Sequence, residues 1–247
     1  MTAEVYYDDD ADLSLIQNRS VAVVGDGGHG LAQALCLRDS GVDVVVGLAG
    51  DAPSRARAQE EGLRVMRPAD AAAAADVVMV LAPEGALPAL YSEAVAPHLA
   101  AGKALLLGSG FAVRYGLIRP PGAVDVAVVA PTGPADLVRR QYVDGKGVPV
   151  LIGVPQDASG DALALALSYA KALGGTRGGA VRTTIAEQTE ANLFGGQAVL
   201  GGVAALVRTG FEVLTEAGYG PEVVYLACLH DLKSVVDRTY AGGLAQM

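Results

Sequence analysis

Val21-Ala22-Val23-Val24-Gly25-Asp26-Gly27-Gly28-His29-Gly30 passes from four apolar residues into the pattern Gly-x-Gly-x-x-Gly. The apolar run reads as a buried strand. Leu31, Ala34, Leu35 and Arg38 follow at helical spacing, which predicts a helix over Gly28 to Ser40. The glycines therefore stand where a strand hands over to a helix. Gly25 permits the tight turn, Gly27 lets the backbone approach a pyrophosphate, and Gly30 lets the helix lie close to the sheet. Free N–H groups at the helix start then face the phosphates. An ordinary strand-to-helix turn is the rival reading. The next strand, Val42 to Val46, comes on schedule and favours a dinucleotide cradle.

The alternation continues outward. Strands are expected at Leu63 to Met66, Asp76 to Leu81, Ala104 to Leu107, Val124 to Val129 and Val148 to Val154. Helices are expected at Pro53 to Glu61, Pro68 to Ala75, Leu87 to Leu99 and Asp161 to Leu173. Apolar strands bounded by turns, with helices between them, predict a parallel sheet covered on both faces. After about Thr183 the pattern changes. Glu187 to Leu206, Val207 to Ala217 and Pro221 to Tyr240 read as helices rich in Ala, Val, Leu and Gly. The expected class is α/β: a Rossmann-type doubly wound parallel sheet over residues 1–182, then an all-α domain over residues 183–247. So apolar a tail should cap the first domain or pair with a second copy of the chain.

Composition narrows the partners. The chain has 247 residues, a formal charge of -9 and 51% hydrophobic residues. No run of Lys or Arg offers a nucleic-acid face. Cys36 and Cys228 lie far apart in apolar segments and match no zinc spacing. The first fifteen residues lack the basic flank and apolar run of a secretory signal. No stretch free of charge and turn residues approaches the ~20 needed to span a bilayer. These readings predict a cytoplasmic protein with a small-molecule substrate and no membrane or nucleic-acid partner.

The loop after the second strand bears on the cofactor. Gly47 cannot supply the carboxylate that usually holds a ribose diol, whereas Asp51 can. No basic residue precedes Arg55, and Asp51 would repel a 2′-phosphate. NADH is expected over NADPH, with NADPH as the alternative. Replacing Ala49 by Arg and Asp51 by Ser is expected to move the preference towards NADPH.

Val5-Tyr6-Tyr7-Asp8, Asp39-Ser40-Gly41-Val42-Asp43-Val44, Leu137-Val138-Arg139-Arg140, Gly174-Gly175-Thr176-Arg177, Leu193-Phe194-Gly195 and Glu216-Ala217-Gly218-Tyr219 resemble the ketol-acid reductoisomerase family across nearly the whole chain. The resemblance implies a nucleotide-binding domain and a helical domain that intertwines in homodimers. It implies an alkyl migration helped by two magnesium ions, followed by reduction with NADPH. It also implies a further segment beyond Met247 with a substrate-binding Ser and more helices. The departures fall on the chemistry. The family's first metal-binding helix carries Asp and Glu four residues apart, where this chain has Asn192 and Gly196. The partner-subunit helix carries two Glu at the same spacing, here Ala227 and Asp231. The family's active-site His is Ser109, and its Lys is Thr132. One carboxylate of four remains, so no magnesium is expected.

Cofactor contacts are expected at Gly25, Asp26, Gly27, Gly28, His29 and Gly30, and at Leu48, Asp51, Pro83, Gly108 and Gly133. Glu190 and Asp231 are the acid–base candidates if the helices pack as in the family; a helix-surface carboxylate is the bland alternative for each. Ser109 and Thr132 are candidates to hydrogen-bond a carbonyl or a phosphate, or to act as spacers. The expected activity is a metal-independent reduction of a C=O or C=N group by a nicotinamide cofactor, without the isomerase step. A nucleotide-binding protein or non-redox enzyme on the same scaffold is the alternative, and an authentic magnesium-dependent reductoisomerase the third reading.

Overall fold

The structure, a computed structural model, describes residues 3–243. The termini of the expected domains, residues 1–2 and 244–247, lie outside the described residues. The chain divides into two compact units, Met1–Thr189 and Glu190–Met247.

The first unit is built on nine strands: β1 Val5–Tyr6, β2 Ser20–Val24, β3 Asp43–Gly47, β4 Arg64–Met66, β5 Val77–Val80, β6 Ala104–Leu107, β7 Asp125–Pro131, β8 Val150–Gln156 and β9 Ala180–Arg182. They lie in the order β1-β9-β8-β7-β6-β5-β2-β3-β4. The helices between them are α1 Ser14–Gln17, α2 Gly28–Asp39, α3 Arg55–Glu60, α4 Pro68–Ala74, α5 Leu87–Leu90, α6 Phe111–Arg114, α7 Ala135–Val143, α8 Ala162–Ala172 and α9 Gly175–Gly178. Beyond α5 the chain continues as a π turn and a 3-10 turn to His98.

Alternation along β2 shows why its whole run is apolar. Val21 and Val23 enter one core with α2 and α8, while Ala22 and Val24 enter another with α4. Successive side chains point to opposite faces, and both faces are covered. Strands β4, β3, β2, β5, β6 and β7 run parallel, as expected. The sheet is nevertheless mixed. Strand β8 pairs antiparallel with β7, and β1 antiparallel with β9. An apolar run does not encode strand direction, and β1 and β9 are too short to show a period.

One buried polar anchor ties the start of β7 to the loop that follows β8. Asp125, 8% exposed, accepts hydrogen bonds from the backbone N–H groups of Ala158 and Ser159 and from the Ser159 hydroxyl. The α8 hydroxyl of Ser168 likewise accepts the Ile16 N–H at 3.0 Å and ties α1 to α8.

The C-terminal part is wholly helical, but its division differs from the expected one. Residues Ile185–Glu216 form one continuous helix of 32 residues, α10, with no break at Val207. Its middle, Gly195–Leu200, is wound as a π turn. Gly201 and Gly202 leave the helix unbroken, because a helix tolerates glycine at a modest cost. A second helix, α11, spans 221–242 and contains a π turn at Leu226–His230. By length and composition α10 could also cross a bilayer. No charged residue stands between Glu190 and Arg208, although Gly195, Gly196, Gly201 and Gly202 interrupt the run.

Candidate functional site

A cleft of about 390 Å³ opens where the C-terminal ends of β2, β5, β6 and β7 meet the start of α2. This edge is where parallel α/β sheets bind ligands. Asp26, Gly27, Gly28, His29 and Gly30 form one wall. Pro83, Gly108, Ser109 and Gly133 contribute from the ends of the other strands.

The glycines are explained by distances. Gly25 has φ +120°, and a Cβ there would stand 2.3 Å from the Leu81 carbonyl oxygen. A Cβ on Gly30 would stand 3.2 Å from the Gly25 carbonyl oxygen. A Cβ on Gly27 would meet nothing within 4 Å, so that glycine faces open space beside the helix start. Two glycines thus serve close backbone packing, and the third leaves room where a ligand's phosphates would lie. A Cβ on Gly108 would stand 2.6 Å from Leu81 Cδ2, so a larger residue there requires the Leu81 side chain to shift.

The loop after β3 is tied to the phosphate turn. The Ser54 hydroxyl and N–H both donate to Asp26 Oδ1. Gly47 sits in a tight place, where a Cβ would approach Val24, Pro68 and Ala71 at 3.1–3.2 Å. Asp51 is exposed on this loop and Leu48 is buried in the core; neither lines the cleft. Leu48 keeps only its backbone for contact. Its carbonyl oxygen accepts the Arg55 guanidinium at 3.0 Å, so Arg55 folds back onto the loop.

The remaining candidates divide. Ser109 lines the cleft, and its hydroxyl accepts the Phe111 N–H at 3.2 Å at the start of α6. Thr132 lies outside the cleft lining. Its hydroxyl donates to the Pro149 carbonyl at 2.9 Å and clasps β7 to β8, which is a structural role. Glu190 and Asp231 belong to the second unit and are exposed there. His230 Nδ1 lies 3.6 Å from Asp231 Oδ1. Asn192 and Gly196 share one face of α10 and line a shallow space of about 510 Å³. Among the described residues, no three His, Cys, Asp or Glu side chains come together as a metal-binding group.

Three residues emerge only from the structure. Gln33 lies under the cleft one turn beyond Gly30, and its Oε1 accepts the Tyr169 hydroxyl at 2.8 Å. Burial holds that phenol well above its ordinary pKa, so it remains a donor. Spacing from His29 along α2 was the available signal. Gln188 is buried; its Oε1 accepts the Gly110 N–H at 2.9 Å, and its Nε2 is left without a partner. Glu84 lines the cleft beside Pro83, with Oε2 buried and unpartnered.

The geometry fits a dinucleotide, and comparison with known proteins agrees. Residues 15–179 match the family described as acetohydroxy acid isomeroreductase, NADPH-binding domain. Residues 185–247 match ketol-acid reductoisomerase, C-terminal domain. A ketol-acid reductoisomerase (NADP(+)) of Kineococcus radiotolerans is 61% identical over 245 residues, covering 99% of this chain and 72% of the relative. One from Saccharopolyspora erythraea is 59% identical over 246 residues, with 99% and 74% covered. The solved structure of an NADH-preferring ketol-acid reductoisomerase from an uncultured archean superposes with a TM-score of 0.93 at 43% identity, covering 98% of this chain and 75% of that one. Cradle, sheet and both matched regions place this chain in the ketol-acid reductoisomerase family of nicotinamide-dependent oxidoreductases.

Proposed function

We propose that this chain reduces a C=O or C=N group with a nicotinamide cofactor, without a magnesium-assisted alkyl migration. The donor set on α10 and α11 carries the reading. Asn192 and Gly196 stand one turn apart, as do Ala227 and Asp231, and only Asp231 is anionic. Two adjacent magnesium ions want several hard anionic oxygens to offset their charge and desolvation. A neutral amide, a glycine and an alanine do not supply them. Packing does not require the glycine, since a Cβ on Gly196 would meet nothing within 4 Å. These residues do not fit a pair of divalent cations.

The cleft does fit a dinucleotide. The N–H groups at the start of α2 would hold the pyrophosphate. Asp51 favours a free ribose diol and hence NADH, although relatives are named for NADP(+). When bound, the reduced nicotinamide supplies a hydride to the electrophilic carbon. Around it the protein must orient the acceptor and deliver a proton. Ser109 is the cleft hydroxyl proposed to hydrogen-bond the acceptor; on the helical unit, Glu190 and Asp231 remain the acid–base candidates that the family resemblance suggests. A C=N acceptor suits this equipment, because its nitrogen can be protonated before hydride arrives and needs no Lewis acid.

The helical unit is read as the dimer contact of a cytoplasmic enzyme. Phe194, Leu200 and Leu206 are each about 70% exposed, and the match to the family's C-terminal domain covers the same helices. That match favours a second copy over a bilayer as the cover for α10.

A second reading has a specific observation behind it: relatives near 60% identity are named as full reductoisomerases. Oxidation of NADH and NADPH by purified protein, with acetolactate and with carbonyl and cyclic imine panels, separates the two. Turnover that ignores both magnesium and chelator is expected. Acetolactate turnover with strict magnesium dependence would establish the second reading. Tight cofactor binding with no hydride transfer to any acceptor would leave a binding module.

A further inference from the structure

Two carboxylates line the cleft, and their surroundings differ. Asp26 is engaged by the hydroxyl and N–H of Ser54. Glu84 also lines the cleft, half-buried, and its Oε2 is shielded from solvent with no hydrogen-bond partner among the described residues. A carboxylate oxygen without a donor is costly to bury. The loop therefore holds an acceptor to which this chain brings no donor.

Position selects the donor. Strand β5, which precedes Glu84, adjoins β2 on the side away from β3. The phosphate turn follows β2, and the loop after β3 is the adenosine side in a sheet of this kind. What remains on the β5 side is the nicotinamide riboside. A carboxylate there repels phosphate and accepts from hydroxyls, and the vicinal hydroxyls of a ribose match its two oxygens.

We propose that Glu84 accepts the hydroxyls of the nicotinamide ribose and fixes the half of the cofactor that carries the hydride. The assignment rests on the dinucleotide reading of the cleft. It makes Glu84 a cofactor-binding residue outside the glycine turn.

Titration of the full chain with NADH, ADP-ribose and ADP tests it. Glu84→Ala should weaken NADH and ADP-ribose about tenfold while leaving ADP within about twofold. Glu84→Gln keeps an acceptor oxygen and the side-chain volume, so its loss should be smaller, about threefold. The glutamine variant also serves if the alanine variant fails to fold. Equal weakening of ADP, or unchanged NADH affinity, would overturn the assignment. Weakened NADH with unchanged ADP-ribose would move the contact to the nicotinamide ring and overturn it as stated. Wild-type protein that binds none of the three would overturn the dinucleotide reading itself, together with this assignment. Those failures are distinguishable, because the wild-type titration reports the cleft and the variants report Glu84.

Discussion

The two units of this chain solve the burial of apolar surface in opposite ways. The first closes two apolar layers around a twisted sheet, and its central strands are almost fully buried. In the second, among the described residues, Val224 is the one apolar side chain that is buried, while Leu206 is 73% exposed and Tyr240 93%. Side chains also have different freedom. In the first unit Gly25 is held to glycine by backbone at 2.3 Å and a positive φ, and a Cβ on Gly47 or Gly108 would press on close neighbours. In the second, Gly195, Gly196 and Gly202 would each accept a Cβ without contact. A cradle packed this tightly tolerates few substitutions, whereas open helix faces can lose carboxylates without losing their fold.

Alanine at one glycine of each unit gives the largest expected contrast. Gly25→Ala forces a Cβ onto the Leu81 carbonyl at a φ of +120°. It should cost ~3 kcal/mol or more, with dinucleotide binding lost. Gly196→Ala should leave the fold intact and add up to ~1 kcal/mol through helix propensity. Thermal melts and NADH titration of both variants check this. A neutral Gly25→Ala would mean the turn is looser than its distances imply.

A smaller effect is expected from adding charge to the exposed helices. Leu206→Glu places a carboxylate within the apolar face of α10. If that face pairs with a second copy, the variant should weaken association about tenfold to a hundredfold. Sedimentation velocity across a concentration series measures it. A chain that is monomeric in both forms would show that the helical unit is not a dimer contact, and the exposed face would need another cover.

The same contrast explains what could be read from the sequence. The glycine turn, the β2–β3 pair and β5 and β6 were legible because short apolar runs bounded by turns have few alternatives in a doubly covered sheet. The direction of β8 was not, since Val150 to Val154 is equally apolar either way. Helix α7 was missed: Leu137, Val138, Arg139 and Arg140 served only as family-like residues. The glycine wall of the cleft was legible, because glycines carry backbone requirements in their identity. Glu84 and Gln33 were not, because a carboxylate after a strand and an amide in a helix acquire meaning only from what surrounds them. Thr132 matches the position of a family lysine, and only the structure shows its hydroxyl donating to the Pro149 carbonyl.

The smallest expected effect concerns polar contacts, which also differ between the units. Asp76 accepts the Ser20 N–H at 2.9 Å and the Ser20 hydroxyl at 2.7 Å, where β2 and β5 begin side by side. Those two donors hold its carboxyl below the usual carboxylate range, against the opposing effect of partial burial. A depressed folded pKa means the contribution is complete above the unfolded value and disappears as pH falls through the folded one. Because Asp76 is largely exposed, solvent screening keeps the contribution under ~1 kcal/mol. Asp76→Asn should therefore melt slightly below wild type near neutral pH, and the gap should close in acid below the usual carboxylate range. In the helical unit, Asp237 meets Lys233 at 2.5 Å across one exposed turn, and each has its side chain mostly in water. Asp237→Asn should leave the melt unchanged at either pH. Equal shifts for the two variants would show that the first unit draws no more from its strand-start clasp than the second draws from a surface pair.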